Sequence, residues 1–317
     1  MMAVPEDWLR PLGRTDLTVS AVCAGGGPLG SMPENFGYDV PAQRGIDTVT
    51  RVLHSPIRFL DTSNGYSNGE SERRIGAAVA AAGGLPEGFV LATKVDRDHN
   101  GDFSGARVRR SIEESLARLG LDRVPLLFLH DPEHITFGEG MAPGGPVEEL
   151  RRIRDEGLAR YIGVAGGPVG LLRDYVGTGV FDAVLTHNRY TLVDRSAEPL
   201  IESASAAGVA VLNAAVYGGG ILATGVAGSD RYGYAPAPPA VLRAVAAIEK
   251  ACAASGVPLP AAALRFSLRD PRIASTVIGI SRPERVDECL GHVTWNIPEE
   301  LWAEIDRYVP AASYWLN

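Results

Sequence analysis

The segment VLATKVDRDHNGDFSGARVRRSIEESLARLGLDRVPLLFL, residues 90–129, decides the fold class. It opens on a short apolar run, Val90–Ala92, and closes on another, Leu126–Leu129. Both are continuously apolar, as strands buried on two faces are. Between them Val108, Ile112, Leu116 and Leu119 recur at helical spacing. Ser104 precedes that pattern as an N-cap and Gly120 follows it as a stop.

The same alternation runs through the rest of the chain. Further strand-length runs are Val19–Ala24, Phe59–Leu60, Tyr161–Val164, Ala183–Leu185, Val209–Leu212 and Ser275–Ile278. Amphipathic stretches such as Pro146–Glu156, Ala197–Ala207 and Pro239–Ala254 lie between them. Gly157 and Gly208 close helices before the next strand, and Pro146 and Pro168 suit first helical turns. Eight alternating units predict a closed parallel α/β barrel, the (β/α)8 TIM barrel, as a single domain over residues 1–317. The competing open sheet would carry G-x-G-x-x-G after its first strand, but Pro28 interrupts the glycines of residues 25–30. The long segments 131–145 and 217–238 read as βα loops that build a substrate site.

Composition bounds the function. The chain has 317 residues, 45% hydrophobic and 21% charged, with a net charge of −8. That charge argues against nucleic acid as the main partner, because phosphate binding needs a basic face. Three widely spaced cysteines, Cys23, Cys252 and Cys289, offer neither a disulfide framework nor paired metal-ligand spacing. The opening MMAVPEDWLR lacks a signal-peptide pattern, and no run approaches the ~18 apolar residues of a membrane span. The expectation is a cytoplasmic protein without membrane contact.

In a barrel, catalytic groups sit where strands end. The second strand runs into Asp61, the third into Lys94 and the fourth into His130, with Tyr66 in the loop after Asp61. Such a set suits carbonyl reduction or its reverse. A Tyr can donate the proton if its pKa falls from ~10 toward working pH, and a nearby ammonium favours that. Lys94 would supply the ammonium, Asp61 would keep it charged, and His130 would orient the substrate oxygen. The scheme needs no metal. His130 and His134 stand at i, i+4, but Asp131-Pro132 breaks the helix a zinc pair requires. Taken singly, Asp61 and Lys94 also read as a structural ion pair.

These residues resemble the aldo-keto reductases over nearly the whole chain. The resemblance rests on Leu12–Ser20, Asp61-Thr62-Ser63-Asn64-Gly65-Tyr66, Gly69–Gly76, Ala92-Thr93-Lys94 and Leu129-His130-Asp131-Pro132. It implies a barrel that binds an extended nicotinamide dinucleotide, with Tyr66 as general acid/base, Lys94 and Asp61 as its tuning pair, and His130 as orienting group. Gly26-Gly27-Pro28-Leu29-Gly30, His187–Leu192 and Asn213-Ala214-Ala215 are similar to the D-threo-aldose (L-fucose or L-galactose) 1-dehydrogenase branch.

By the same resemblance Gly26, His187, Asn188 and Asn213 fall at the nicotinamide end, and Gly279, Ser281, Arg282, Arg285 and Glu288 at the adenosine end. The Ser and Asn that the family often places after the fifth strand are replaced by Gly166-Gly167, and a common Gln by His187. Arg282 or Arg285 would suit a 2′-phosphate, yet the Lys of NADP-selective relatives corresponds to Gly279, so NAD and NADP both stay open. The expected substrate is a small carbonyl compound or sugar. A pyridoxal-type dehydrogenase, a specialised biosynthetic carbonyl reductase and a cofactor-sensing regulatory subunit are the alternatives. Tyr314 and Trp315 in the tail suit stacking on a substrate or packing on another subunit; the sequence does not fix the oligomeric state.

Overall fold

The computed structural model describes residues 4–316. Among these, eight strands form a closed barrel: β1 (Val22–Gly25), β2 (Phe59–Asp61), β3 (Val90–Val95), β4 (Val124–His130), β5 (Ala159–Gly166), β6 (Ala183–His187), β7 (Ala210–Ala214) and β8 (Ile273–Gly279). All neighbouring pairs are parallel, and β8 closes the ring against both β7 and β1. The expected TIM barrel is therefore present.

The connecting helices are those the sequence punctuates. Ser104 Oγ accepts the Arg107 N–H at the start of Gly105–Leu119, and Gly120 ends that helix at φ 67. Gly157 and Gly208 also hold positive φ, which only glycine adopts without cost. One expectation changes. The run Val19–Ala24 is not one strand: Thr18–Ser20 pairs antiparallel with Leu9–Pro11, and the barrel strand begins only at Val22. That hairpin closes the N-terminal end of the barrel, with Leu12, Leu17 and Val19 packed into its interior cluster.

Side chains alternate across each strand. Phe59, Val90, Ala92, Leu126, Phe128, Leu185 and Leu212 fill the barrel. Their neighbours in sequence, Leu60, Leu91, Leu127, Val184 and Val211, face the helices. Each such buried side chain contributes ~1.5–3 kcal/mol. The same parity carries Asp61, Lys94, His130 and His187 to the inner side at the C-terminal rim. Cys23, Cys252 and Cys289 are all buried, and burial pushes their thiols up, so they act as packing groups.

Candidate active site

Two contrasting arcs of three strands each stand out on the C-terminal rim. On β7, β8 and β1, three adjacent strands, the inner positions end in Ala214, Gly279 and Gly25, a shelf nearly free of side chains. On β2, β3 and β4 the corresponding positions carry Asp61, Lys94 and His130.

Lys94 is the hub of the polar arc. Its Nζ donates to Asp61 Oδ2 at 2.7 Å, Thr62 O at 2.8 Å and Tyr66 OH at 3.0 Å. Lys94 is 1% exposed, so all three ammonium protons are taken up by fixed acceptors. Burial works against its charge, but Asp61 and Tyr66 outweigh it and hold the Lys94 pKa above the ordinary range.

Tyr66 behaves differently from the expectation. Burial pushes its phenol above the usual tyrosine value, and Lys94 offsets only part of that rise. The resting phenol is therefore firmly protonated. Lys94 is positioned to receive developing phenolate charge rather than to create a phenolate in advance.

His130 completes the tetrad. Its ring stands edge-on to Tyr66, 82° between planes and 5.6 Å between centroids. Nδ1 lies 2.6 Å from Asp96 Oδ1 and 3.1 Å from Ser63 Oγ. Burial again opposes the charged ring, but Asp96 and Asp131 outweigh it and raise the His130 pKa. Asp96 is held below the usual carboxylate range against burial by His130, the Ser63 hydroxyl and the Gly65 N–H, which donates to Oδ2 at 2.7 Å. Sequence reading missed Asp96. Its signal was parity: it stands two residues beyond Lys94, on the same face.

The loop carrying Tyr66 is built from behind. Arg107 donates to Asn64 Oδ1 at 2.9 Å and to Glu114 at 2.9 Å, and Asn64 Nδ2 donates to Ser111 O at 3.0 Å. Ser67 and Asn68 hold φ 51 and 53, a strained turn directly after the phenol. Gly26 closes the other side. Its N–H donates to Asp61 O at 2.7 Å, and a Cβ there would meet the same oxygen at 2.8 Å.

The expected cofactor contacts divide. His187 is inward on β6, and Asn188 follows it at φ 60, 1% exposed, its Oδ1 without a hydrogen-bond partner among the described residues. Asn213 is turned outward: its Nδ2 donates to Tyr190 O at 2.8 Å and Ser267 Oγ at 2.9 Å, tying β7 to the helix Leu259–Leu268. Gly279 lies at the shelf, where a Cβ would find only Pro28 at 3.6 Å. Ser281 is buried just beyond. Arg282 donates to Glu288 at 2.7 Å, and Arg285 stands 3.7 Å from the same carboxylate, at the start of the helix Glu284–Val293. Tyr217 has Cys289, Arg285 and Glu288 in its field, on the adenosine side.

An open shelf beside the tetrad, a buried amide oxygen lacking a donor, and two arginines at a helix start fit an extended nicotinamide dinucleotide. Two grooves of about 850 and 1000 Å³ lie instead at the opposite end, around Leu9–Gly13 and Phe89–Val90, and touch none of these residues.

Comparison with known proteins agrees with this geometry. The Aldo/keto reductase family model matches residues 22–310, and the chain belongs to that family. It is an NAD(P)-dependent oxidoreductase. It is 34% identical over 290 residues to L-galactose dehydrogenase of Arabidopsis thaliana, covering 90% of this chain and 88% of that one. It is 28% identical to pyridoxal 4-dehydrogenase of Microbacterium luteolum (93% and 96% covered) and 31% identical to D-threo-aldose 1-dehydrogenase of a Pseudomonas species (78% and 83%). The solved holo form of an aldo-keto reductase from Bacillus halodurans superposes with a TM-score of 0.78 at 23% identity, over 96% of this chain and 97% of that one. Among the described residues no helix is long and apolar enough to cross a membrane.

Proposed function

We propose that this protein is an NAD-linked aldose 1-dehydrogenase, oxidising the anomeric carbon of a free sugar with Tyr66 as the proton-transferring group. The observation that carries the mechanism is the Lys94 ammonium, bound at once to Asp61 and to the Tyr66 hydroxyl. The substrate reading leans on the likeness to L-galactose dehydrogenase and D-threo-aldose 1-dehydrogenase.

When bound, the nicotinamide supplies or accepts the hydride. The residues of this chain manage the proton and the oxygen. In oxidation the small deprotonated fraction of Tyr66, which grows with pH, takes the proton of the anomeric hydroxyl, and Lys94 offsets part of the cost of that buried charge. In reduction Tyr66 gives the proton to the carbonyl oxygen. Asp96 holds His130 through Nδ1, so Nε2 is left to contact the substrate oxygen. In this reading Asn188 receives the amide of the cofactor, which its Oδ1, without a hydrogen-bond partner among the described residues, supports.

Glu288 supports the NAD reading. Both arginines that would receive a 2′-phosphate are already paired with this carboxylate, and Arg282 has Glu284 at 3.8 Å as well. A phosphate there would meet two like charges.

The test is absorbance at the reduced-nicotinamide band with NAD or NADP and a panel of L-galactose, L-fucose, D-arabinose and pyridoxal. Reduction of NAD by an aldose is the expected result. Turnover of pyridoxal with no aldose oxidised would replace the sugar reading by the one its likeness to pyridoxal 4-dehydrogenase favours.

A further inference from the structure

Beside the tetrad the mouth carries a second polar cluster. One side-chain ligand atom from each of Asp131, Glu133 and His187 lies within 4.8 Å of the other two. Asp131 follows His130 in a left-handed conformation, φ 44, that few non-glycine residues adopt. Its Oδ1 lies 3.7 Å from His130 Nε2, the nitrogen left for the substrate oxygen. The cluster thus adjoins the reacting carbon.

Glu133 reaches the mouth from the turn Pro132–His134. Its Oε1 accepts the Gly167 N–H at 3.2 Å, and its Oε2 stands 2.7 Å from where a Cβ on Gly166 would be. Gly166, the last residue of β5, is therefore what admits this carboxylate, whereas a Cβ on Gly167 would meet Arg189. His187 is neutral, pushed down to about 4 by burial and by the neighbouring cations Arg189, His130 and Lys94, which outweigh Asp131. Asn188 Nδ2 lies 3.2 Å from His187 Nδ1, and a neutral ring that accepts there carries its proton on Nε2. Asn188 is itself buried, with Oδ1 unpartnered among the described residues. The Tyr234 ring, half-exposed in the hairpin Arg231–Tyr232/Ala235–Pro236, stands 6.1 Å from the His187 ring.

We propose that Asp131, Glu133 and His187 form a polyol subsite that binds the hydroxyls next to the oxidised carbon and selects an uncharged, unphosphorylated sugar. The proposal rests on the aldose reading above. A hydroxyl donates and accepts at once. The two carboxylates accept and the His187 Nε2–H donates, so the cluster meets both needs. Hydrogen bonds to carboxylates are the stronger kind, and a substrate without hydroxyls leaves both unmatched. A phosphate or acid group would face two like charges, while the nearby Arg189 is already in the field of Glu133 and Asp194. Tyr234 offers a ring face to the C–H side of a sugar.

The test compares kcat/KM for L-galactose oxidation with kcat/KM for phenylglyoxal reduction, in wild type, Glu133→Gln and Asp131→Asn. Dissociation constants for NADH and activity in EDTA and in added Mg²⁺ or Zn²⁺ are measured alongside. Gln keeps the shape of Glu133 and an acceptor for Gly167. If that variant fails to fold, Asp131→Asn decides by the ratio alone, because Asp131 also raises the His130 pKa and its loss acts on both substrates. We expect the galactose-to-phenylglyoxal ratio to fall roughly tenfold or more, the size of a lost charge-assisted hydrogen bond. The loss should lie in KM for the sugar, with NADH binding at the wild-type value. Equal losses on both substrates with weakened NADH binding would make the cluster a cofactor contact and overturn the proposal. Activity abolished by EDTA and restored by a divalent cation would make it a metal site and overturn it equally. An aldose-active wild type with an unchanged ratio in both variants defeats the subsite alone. A wild type that reduces phenylglyoxal but oxidises no aldose defeats the aldose reading first.

Discussion

His130 Nδ1 and Asp96 Oδ1, 2.6 Å apart, join the ends of two neighbouring barrel strands and leave Nε2 as the ring nitrogen outside this contact. With Nδ1 donating to the carboxylate, Nε2 is directed into the mouth. Asp96→Asn should leave the barrel folded and lower kcat/KM by about 10- to 100-fold, as loss of a hydrogen bond to a charged group does. Steady-state kinetics with circular dichroism on the same sample checks this. Wild-type efficiency in the variant would show that the ring needs no such partner.

Tyr66→Phe should lose at least ~10²-fold in kcat, the lower range for general acid–base catalysis, with NADH binding retained. Single-turnover kinetics and fluorescence titration separate the two quantities. A rate near wild type would remove Tyr66 from the chemistry.

Lys94→Met carries a second cost. It strands Asp61, 2% exposed, whose only side-chain ion-pair partner among the described residues is Lys94. Breaking a buried pair from one side typically costs ~3–5 kcal/mol. The variant should therefore lose activity and also unfold at lower denaturant, and Asp61→Asn added to it should restore stability but not turnover. Urea titrations of the two proteins give the comparison. Equal midpoints would contradict it.

The pH dependence has two limbs. The His130 pKa is raised, so the ring keeps its proton above the ordinary ~6.5. Its stabilising contribution is complete below that unfolded value and is lost as pH rises through the folded one. Thermal midpoints should fall over that window in wild type and not in His130→Gln. Reduction should weaken over the same window, because an uncharged His130 no longer donates through Nε2. Oxidation requires Tyr66 to start deprotonated, and its pKa lies above the ordinary value. The oxidation rate should still be rising at pH ~10. A plateau well below that would place the base elsewhere.

Glu288→Gln frees Arg282 and Arg285 from their shared carboxylate. NADPH binding should tighten by roughly 2- to 5-fold, the scale of one partly exposed ion pair, with little change for NADH. Fluorescence titration with both cofactors measures the ratio. No change in it would mean that neither arginine reaches the 2′ position.

What was legible in the sequence was what strand and helix periodicity controls. Seven barrel strands announced themselves as apolar runs of their own, the first was merged with the hairpin strand Thr18–Ser20, and the strand ends located Asp61, Lys94 and His130. Parity could have taken this further. Asp96 shares a face with Lys94, and Asn213, between Leu212 and Ala214, had to point outward. The loop contacts were beyond periodicity. Glu133 meets Gly166 and Gly167 across some thirty residues, through a turn whose path depends on a left-handed Asp131. The tuning of Tyr66 also escaped, since the balance of burial against Lys94 is a matter of depth that composition does not record.

The hairpin that caps the far end of the barrel has a kinetic consequence. With Phe59, Leu126 and Phe128 filling the barrel and Leu12, Leu17 and Val19 packed beneath them, the site is a blind alley with one door. Whatever seats itself deepest must arrive first and depart last. The two substrates thus form a queue rather than a crowd, and product inhibition should report a compulsory order, with the dinucleotide bracketing every turnover.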